Sequence, residues 1–386
     1  MSSADHGPDS TGEVPDDPSG LFPRDAPTGE LNRGLRLTLL RLLGPAPLRA
    51  LRRRRNRTSD EPTVGLTFGM VEAALETFGV RHSVTTDRIM VSWPSVRGEL
   101  LVIRDNGGLH LVFRGRLRGR TGVEQLPVLQ NALALGEQRS LPVCFYPSVA
   151  ADGTLSVRFH ASLCVEAGIT DAQLRTFLER ALILVITGCL ALIDEIPPLA
   201  GPAIDSSELL RTDAVESTRP VPGAVVPGSG VPPLTPAIPE PLDMYRLRIV
   251  LERMRGDAEP HPRFRALALT VDEVEVQVTS DTEAVGSAGR DLIVISRWEV
   301  PVEGAATEVF GEAATACAAF DRRCPTVNAR AALVSGTPDR VVVCAVAVFP
   351  VAAGATDAQL EAAINCGITG VVEAVTVIRG ALSRPR

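Results

Sequence analysis

The sequence contains no lysine; all 39 of its basic residues are arginine. That absence excludes a Walker A phosphate loop, a Schiff-base nucleophile and a pyridoxal-phosphate anchor, each of which needs a lysine amine. Aromatic residues are scarce, at 4%, so there is little from which to build a base-stacking platform for nucleic acid. Histidine is rarer still: His6, His82, His110, His160 and His261 are scattered, with no HExxH pair and none beside a nucleophile motif. No GxSxG elbow or GxGxxG loop occurs, and the GSG at Gly228–Gly230 lies in a Pro-rich tract. No enzyme, cofactor or metal is therefore expected. A hydrolase hidden in this chain would have to converge His110 or His160 with acids in a deep cleft.

The seven cysteines lack metal-like or redox spacing. Cys144, Cys164, Cys189, Cys344 and Cys366 sit in apolar runs and read as small buried hydrophobes, and Cys317 and Cys324 are seven apart. Reduced thiols and a cytoplasmic location are expected. The first thirty residues hold no apolar segment of the signal-peptide kind. The most membrane-like run, Ala181–Ile193, has thirteen residues where a span needs about 20, so it reads as a buried core helix.

What is present is patterned. Hydrophobic residues make up 45% and charged residues 22%, a globular balance with net charge −7. Residues 1–62 read as a disordered arm, acidic up to Glu30 and then rich in Arg and Leu. Leu35, Leu39, Leu42 and Leu43 follow helical spacing there. Residues 197–241 are rich in Pro and Gly and read as a linker. Between and after these lie two segments, 63–196 and 242–384, in which one order of elements occurs twice. Each has a helix, several antiparallel strands, a helix, two strands and a long final helix, an α+β pattern. The expected elements include a helix through Val71–Phe78, a hairpin turned at Asp105–Gly108, and strands at Glu273–Thr279 and Asp291–Trp298.

The heptapeptide GITDAQL (Gly168–Leu174) returns as GATDAQL (Gly354–Leu360). TDAQ is a capping box: Thr170 at the N-cap accepts from the N3 backbone, and Gln173 reaches back to the N-cap backbone. Thr356 and Gln359 repeat it. These four residues are expected to act as structural caps.

The G-x-T-D-A-Q-L opening of the final helix resembles the YbjN-domain family, common in actinobacteria. So do the order of elements, the RGRL element at Arg114–Leu117, SRW at Ser296–Trp298, and Pro142 and Pro325 ahead of the late strand pair. The resemblance spans about Thr63–Ile196 and Leu242–Leu382. It implies a fold like that of type III secretion chaperones and a chaperone-like, scaffold or sensory-transduction regulatory role with no established reaction. It also implies that the two units pack in cis as a pseudo-dimer.

Two surfaces are candidates for binding. Arg114, Arg116, Arg118 and Arg120 alternate, so a continuing strand would set all four guanidiniums on one face, suited to an acidic protein or peptide partner. Arg297 and Trp298 hold the corresponding place in the second unit. The arm carries Arg49, Arg52, Arg53, Arg54, Arg55 and Arg57, which suit an anionic membrane surface or an acidic partner within residues 31–57. Nucleic acid is disfavoured by the net negative charge and the missing aromatics. The leading expectation is a non-enzymatic protein- or peptide-binding scaffold. The alternative is a regulator recruited, peripherally, to membrane or nucleic acid by the arm.

Overall fold

The computed structural model describes residues 61–137, 143–150, 152–202, 224–225, 237–256, 258–260, 266–280, 291–302, 304–334 and 340–383. The arm's arginine cluster, Arg49 to Arg57, lies outside them. Unit 1 runs α1 (Phe68–Thr77), β1 (His82–Val84), β2 (Ile89–Ser92), β3 (Val96–Asp105), β4 (Gly108–Leu117), β5 (Thr121–Gly122), α2 (Leu126–Glu137), β6 (Cys144–Val149), β7 (Thr154–Cys164) and α3 (Asp171–Glu195). A two-residue strand, β8 (Ala224–Val225), precedes unit 2. That unit runs α4 (Met244–Arg255), β9 (Glu259–Pro260), β10 (Leu267–Val271), β11 (Val274–Thr279), β12 (Asp291–Val300), α5 (Ala306–Asp321), β13 (Asn328–Val334), β14 (Arg340–Pro350) and α6 (Asp357–Leu382).

Both sheets are antiparallel, and their strand orders match: β6-β7-β4-β3-β2-β1 in unit 1 and β13-β14-β12-β11-β10-β9 in unit 2. The fold is α+β and internally duplicated. Strands β5 and β8 are additions to unit 1; β8 pairs with Val102 and Ile103 of β3. The segment between the units is thus partly stitched into the fold. Leu199 is wholly buried in the first core, and Glu240 bridges to Ala355.

Alternation along the strands decides which side each residue serves. In β4, Leu109, Leu111 and Phe113 enter the first core, whereas His110, Val112, Arg114 and Arg116 point to the opposite face. Phe159 is 1% exposed and anchors that core, with its ring centroid 5.4 Å from Phe113 and 6.0 Å from Phe145. A separate cluster of unit 2 residues holds Phe320, Phe349 and the apolar side of α6. Helices α3 and α6 are each long and apolar enough to cross a membrane. Here their stripes are buried: Leu174, Phe177, Leu178, Ala181, Leu182 and Val185 recur at helical spacing under the first sheet.

Both capping boxes form as the sequence implies. Thr170 Oγ1 accepts from Gln173 N at 3.2 Å and Gln173 Oε1 accepts from Thr170 N at 2.9 Å. Thr356 and Gln359 repeat the pair at 3.1 and 2.9 Å. Thr170→Ala should lower unfolding free energy by about 1 kcal/mol in urea denaturation, the usual worth of an N-cap.

Candidate functional site

The two helix starts meet. Each cap glutamine already receives an N–H on its Oε1, so its amide NH2 is forced to point away from its own helix. Gln173 Nε2 donates to the Gly354 carbonyl and Gln359 Nε2 to the Gly168 carbonyl, both at 2.7 Å. The two side-chain amides also bond each other at 3.0 Å. The two glutamines are 186 residues apart, and the same offset carries Thr170 to Thr356 and Gly168 to Gly354. The contact is a pseudo-twofold seam between the units. The caps therefore hold the units together as well as starting their helices, a role their local sequence does not disclose.

Applying that offset exposes two corners that correspond but differ. His110 pairs with Cys164 across β4 and β7 as Asp291 pairs with Pro350 across β12 and β14, and Arg180 on α3 corresponds to Cys366 on α6. At one corner Arg180 Nη1 reaches both carboxylate oxygens of Asp291, at 2.5 and 2.6 Å, and Asp291 is buried. At the other, His110, Cys164 and Cys366 bring their ligand atoms within 4.8 Å of one another. Neither ring nitrogen of His110 has a hydrogen-bond partner, although Cys366 lies beside it, and the residue is 0% exposed. The Cys366 thiol draws the Cys164 value below that of an ordinary thiol, against the effect of burial. Contact with Cys164, then burial, raises Cys366 far above it. Among the described residues this is the one group of His, Cys or acidic side chains arranged to hold a metal. Three distant segments supply it, so the cysteine spacings could not reveal it; as expected of small hydrophobes, Cys366 is buried in the second core and Cys164 packs against that core.

Further polar contacts line the seam. The β3–β4 hairpin tip inserts into unit 2: Asn106 Nδ2 donates to Thr326 Oγ1 at 2.6 Å, and Thr326 Oγ1 donates to Asp105 Oδ2 at 2.8 Å. His160 Nε2 lies 2.9 Å from Asn328 Oδ1. Burial pulls His160 down from 6.5 to about 4, against the favourable Asn328 contact. The unfolded chain takes up a proton below about pH 6.5 that the folded seam refuses until about pH 4. Stability from this group is present above pH 6.5 and lost as pH falls toward 4, by about 3 kcal/mol at the low end. Urea midpoints from pH 7 to pH 4 should therefore fall more steeply for the natural chain than for His160→Gln. His110 and His160 sit in this seam without converging on acids in a cleft.

The arginine row is rearranged. Strand β4 ends at Leu117, because Gly119 turns against residues 198–201; a Cβ there would lie 2.1 Å from the Pro198 carbonyl. Arg118 and Arg120 thus leave the strand, and Arg118 Nε donates to the Trp93 carbonyl. Arg114 is paired with Glu99 at 2.7 Å, beside Arg88. The cationic row runs across strands instead of along one: Arg97 opposes Arg116, and Arg116 opposes Arg158. Arg158 is exposed and the other two are half-buried. In unit 2, Arg297 is exposed and opposes Cys344, whose other neighbour is Arg330. Trp298 is not a surface residue. It is 8% exposed on the core side, with the Arg379 guanidinium 5.4 Å from its ring. Sequence spacing finds residues two apart on one strand, whereas Arg97 and Arg158 needed the pairing register.

No protein-family model matches the chain, and no curated protein matches it. Among solved structures it is similar to the crystal structure of YbjN from E. coli, described there as a candidate transcription regulator. The identity is 16%, the match covers 34% of this chain and 93% of that one, and the TM-score is 0.28.

Proposed function

We propose that this is a cytoplasmic, non-enzymatic binding protein: two YbjN-like units joined as a pseudo-dimer into a chaperone-like or regulatory scaffold. It docks an acidic protein or peptide segment on the first sheet. The observation that supports this reading is the register Arg97–Arg116–Arg158. A carboxylate-bearing segment laid across this register would meet its guanidiniums with charge-assisted, bidentate contacts. In unit 2 only Arg297 is exposed at the corresponding place, the Arg330 guanidinium being buried, so the two units present unequal faces.

The test is a titration of a fluorescent poly-glutamate peptide against the full chain, against Arg116→Glu/Arg158→Glu, and against a chain lacking residues 1–62. The double variant should bind about tenfold or more weakly, the worth of one charge-assisted pair, and the truncated chain should bind as before. If the reversal leaves binding intact while truncation abolishes salt-sensitive binding to anionic vesicles or DNA, the arginine-rich arm is the recruiting element instead.

A further inference from the structure

We infer that His110, Cys164 and Cys366 form a binding site for zinc(II) that pins the two units together at one corner of their seam. The first ground is convergence. A Cβ placed on Gly108 would lie 2.5 Å from Cys366 Sγ, 3.5 Å from His110 Nε2 and 3.9 Å from Cys164 Sγ, so a single point next to the β3–β4 turn faces all three ligand atoms. Positive φ in that turn falls on Asn106 and Gly107, not on Gly108. Backbone conformation therefore does not require glycine at 108; the space between the ligands does.

The second ground is the histidine. It is wholly buried, and among the described residues the Cys366 thiol is the one polar group that interacts with its ring, with no hydrogen bond of ordinary geometry on either nitrogen. Leaving a buried ring nitrogen unsatisfied costs roughly 1–3 kcal/mol, and a metal bond to Nε2 gives that nitrogen a partner. One imidazole and two thiolates are the ligand types zinc takes. Tetrahedral zinc at about 2.0–2.3 Å sets its ligand atoms roughly 3.5–3.8 Å apart. The present span of 4.8 Å closes to that with an ångström of side-chain movement.

Charge selects the ion. Two thiolates and a neutral imidazole sum to −2, which zinc(II) neutralises. Copper(I) would leave a negative charge beside Leu163, Ile169, Phe349 and Val351, which line the adjoining cavity. That cavity, of about 30 Å³, is also bordered by Cys164, Gln173 and Gln359. It has room for one water with amide partners beside Cys164. His110 and Cys164 belong to unit 1 and Cys366 to unit 2, so the ion would do at this corner what the Arg180–Asp291 pair does at the other.

The experiment uses the full chain in reducing buffer. Zinc(II) alone is added, unbound metal is removed by gel filtration, and retained metal is counted by elemental mass spectrometry. The expected result is roughly one zinc per chain. Cys366→Ser and His110→Asn should each fall below about a tenth of that, and Cys344→Ser should be unchanged. Because a seam variant can fail to fold, cobalt(II) is also loaded into the unaltered chain. Thiolate-to-cobalt charge-transfer absorption, bleached by added zinc, is the expected signature. A folded, unaltered chain that retains no zinc overturns the proposal. So does zinc retention that survives Cys366→Ser, copper(I) retained where zinc is not, or recovery of Cys164 and Cys366 as a disulfide from protein isolated in the presence of zinc.

Discussion

Arg180→Ala should cost about 3–5 kcal/mol of unfolding free energy, because it removes the arginine that both oxygens of a buried carboxylate accept from. Asp291 is 2% exposed and holds Arg180 through both of its oxygens. Replacing both partners with apolar residues of similar volume, Arg180→Met with Asp291→Leu, should recover much of the loss, since the buried carboxylate is then removed along with its arginine. Urea denaturation monitored by far-ultraviolet circular dichroism measures both. The single variant should also broaden or split the transition, because the pair joins one unit's helix to the other unit's sheet. A loss below 1 kcal/mol would mean that solvent reaches Asp291.

Phe159→Ala should cost a similar amount, about 3–5 kcal/mol, by a different route. The ring fills the middle of the first core, edge-on to Phe113 and tilted against Phe145. The surrounding strands are held by continuous pairing on both sides of β7 and cannot collapse into the space. The damage should stay in unit 1. Hydrogen exchange should accelerate across β3, β4 and β7 while β12 and β14 keep their protection. The two variants thus separate what holds a unit together from what holds the pair together.

The duplication was legible because its markers are local. A capping box occupies four consecutive residues, and an Asn-Gly turn two, so Thr170, Thr356 and Asn106 could be read directly. The β10–β11 hairpin was only half visible, because its turn is Asp272–Glu273, at φ 47° and 64°, with neither Gly nor Asn to announce it. That the units would pack together was expected, but the contacts that make the seam were invisible for another reason. Gln173 is fully explained by its own helix, and nothing in the heptapeptide shows that its second amide hydrogen crosses to Gly354. Chain distance hid the cluster at His110, since its members share no motif and meet only when β4, β7 and α6 pack. Of the alternating arginines, Arg114 and Arg116 stay on β4 while Arg118 and Arg120 leave it; Arg97 and Arg158 come beside Arg116 only through strand pairing, and Trp298 alternates inward.

The unequal corners of the seam have a consequence for how this protein can change. In an assembly of two identical chains, any substitution at the interface is made twice, and an arginine placed at one corner must also appear at its mate. Fusion removes that constraint. Residue 180 can be arginine while residue 366 is cysteine, so each corner answers separately to its own chemistry, and a single base change alters one lock and leaves the other closed.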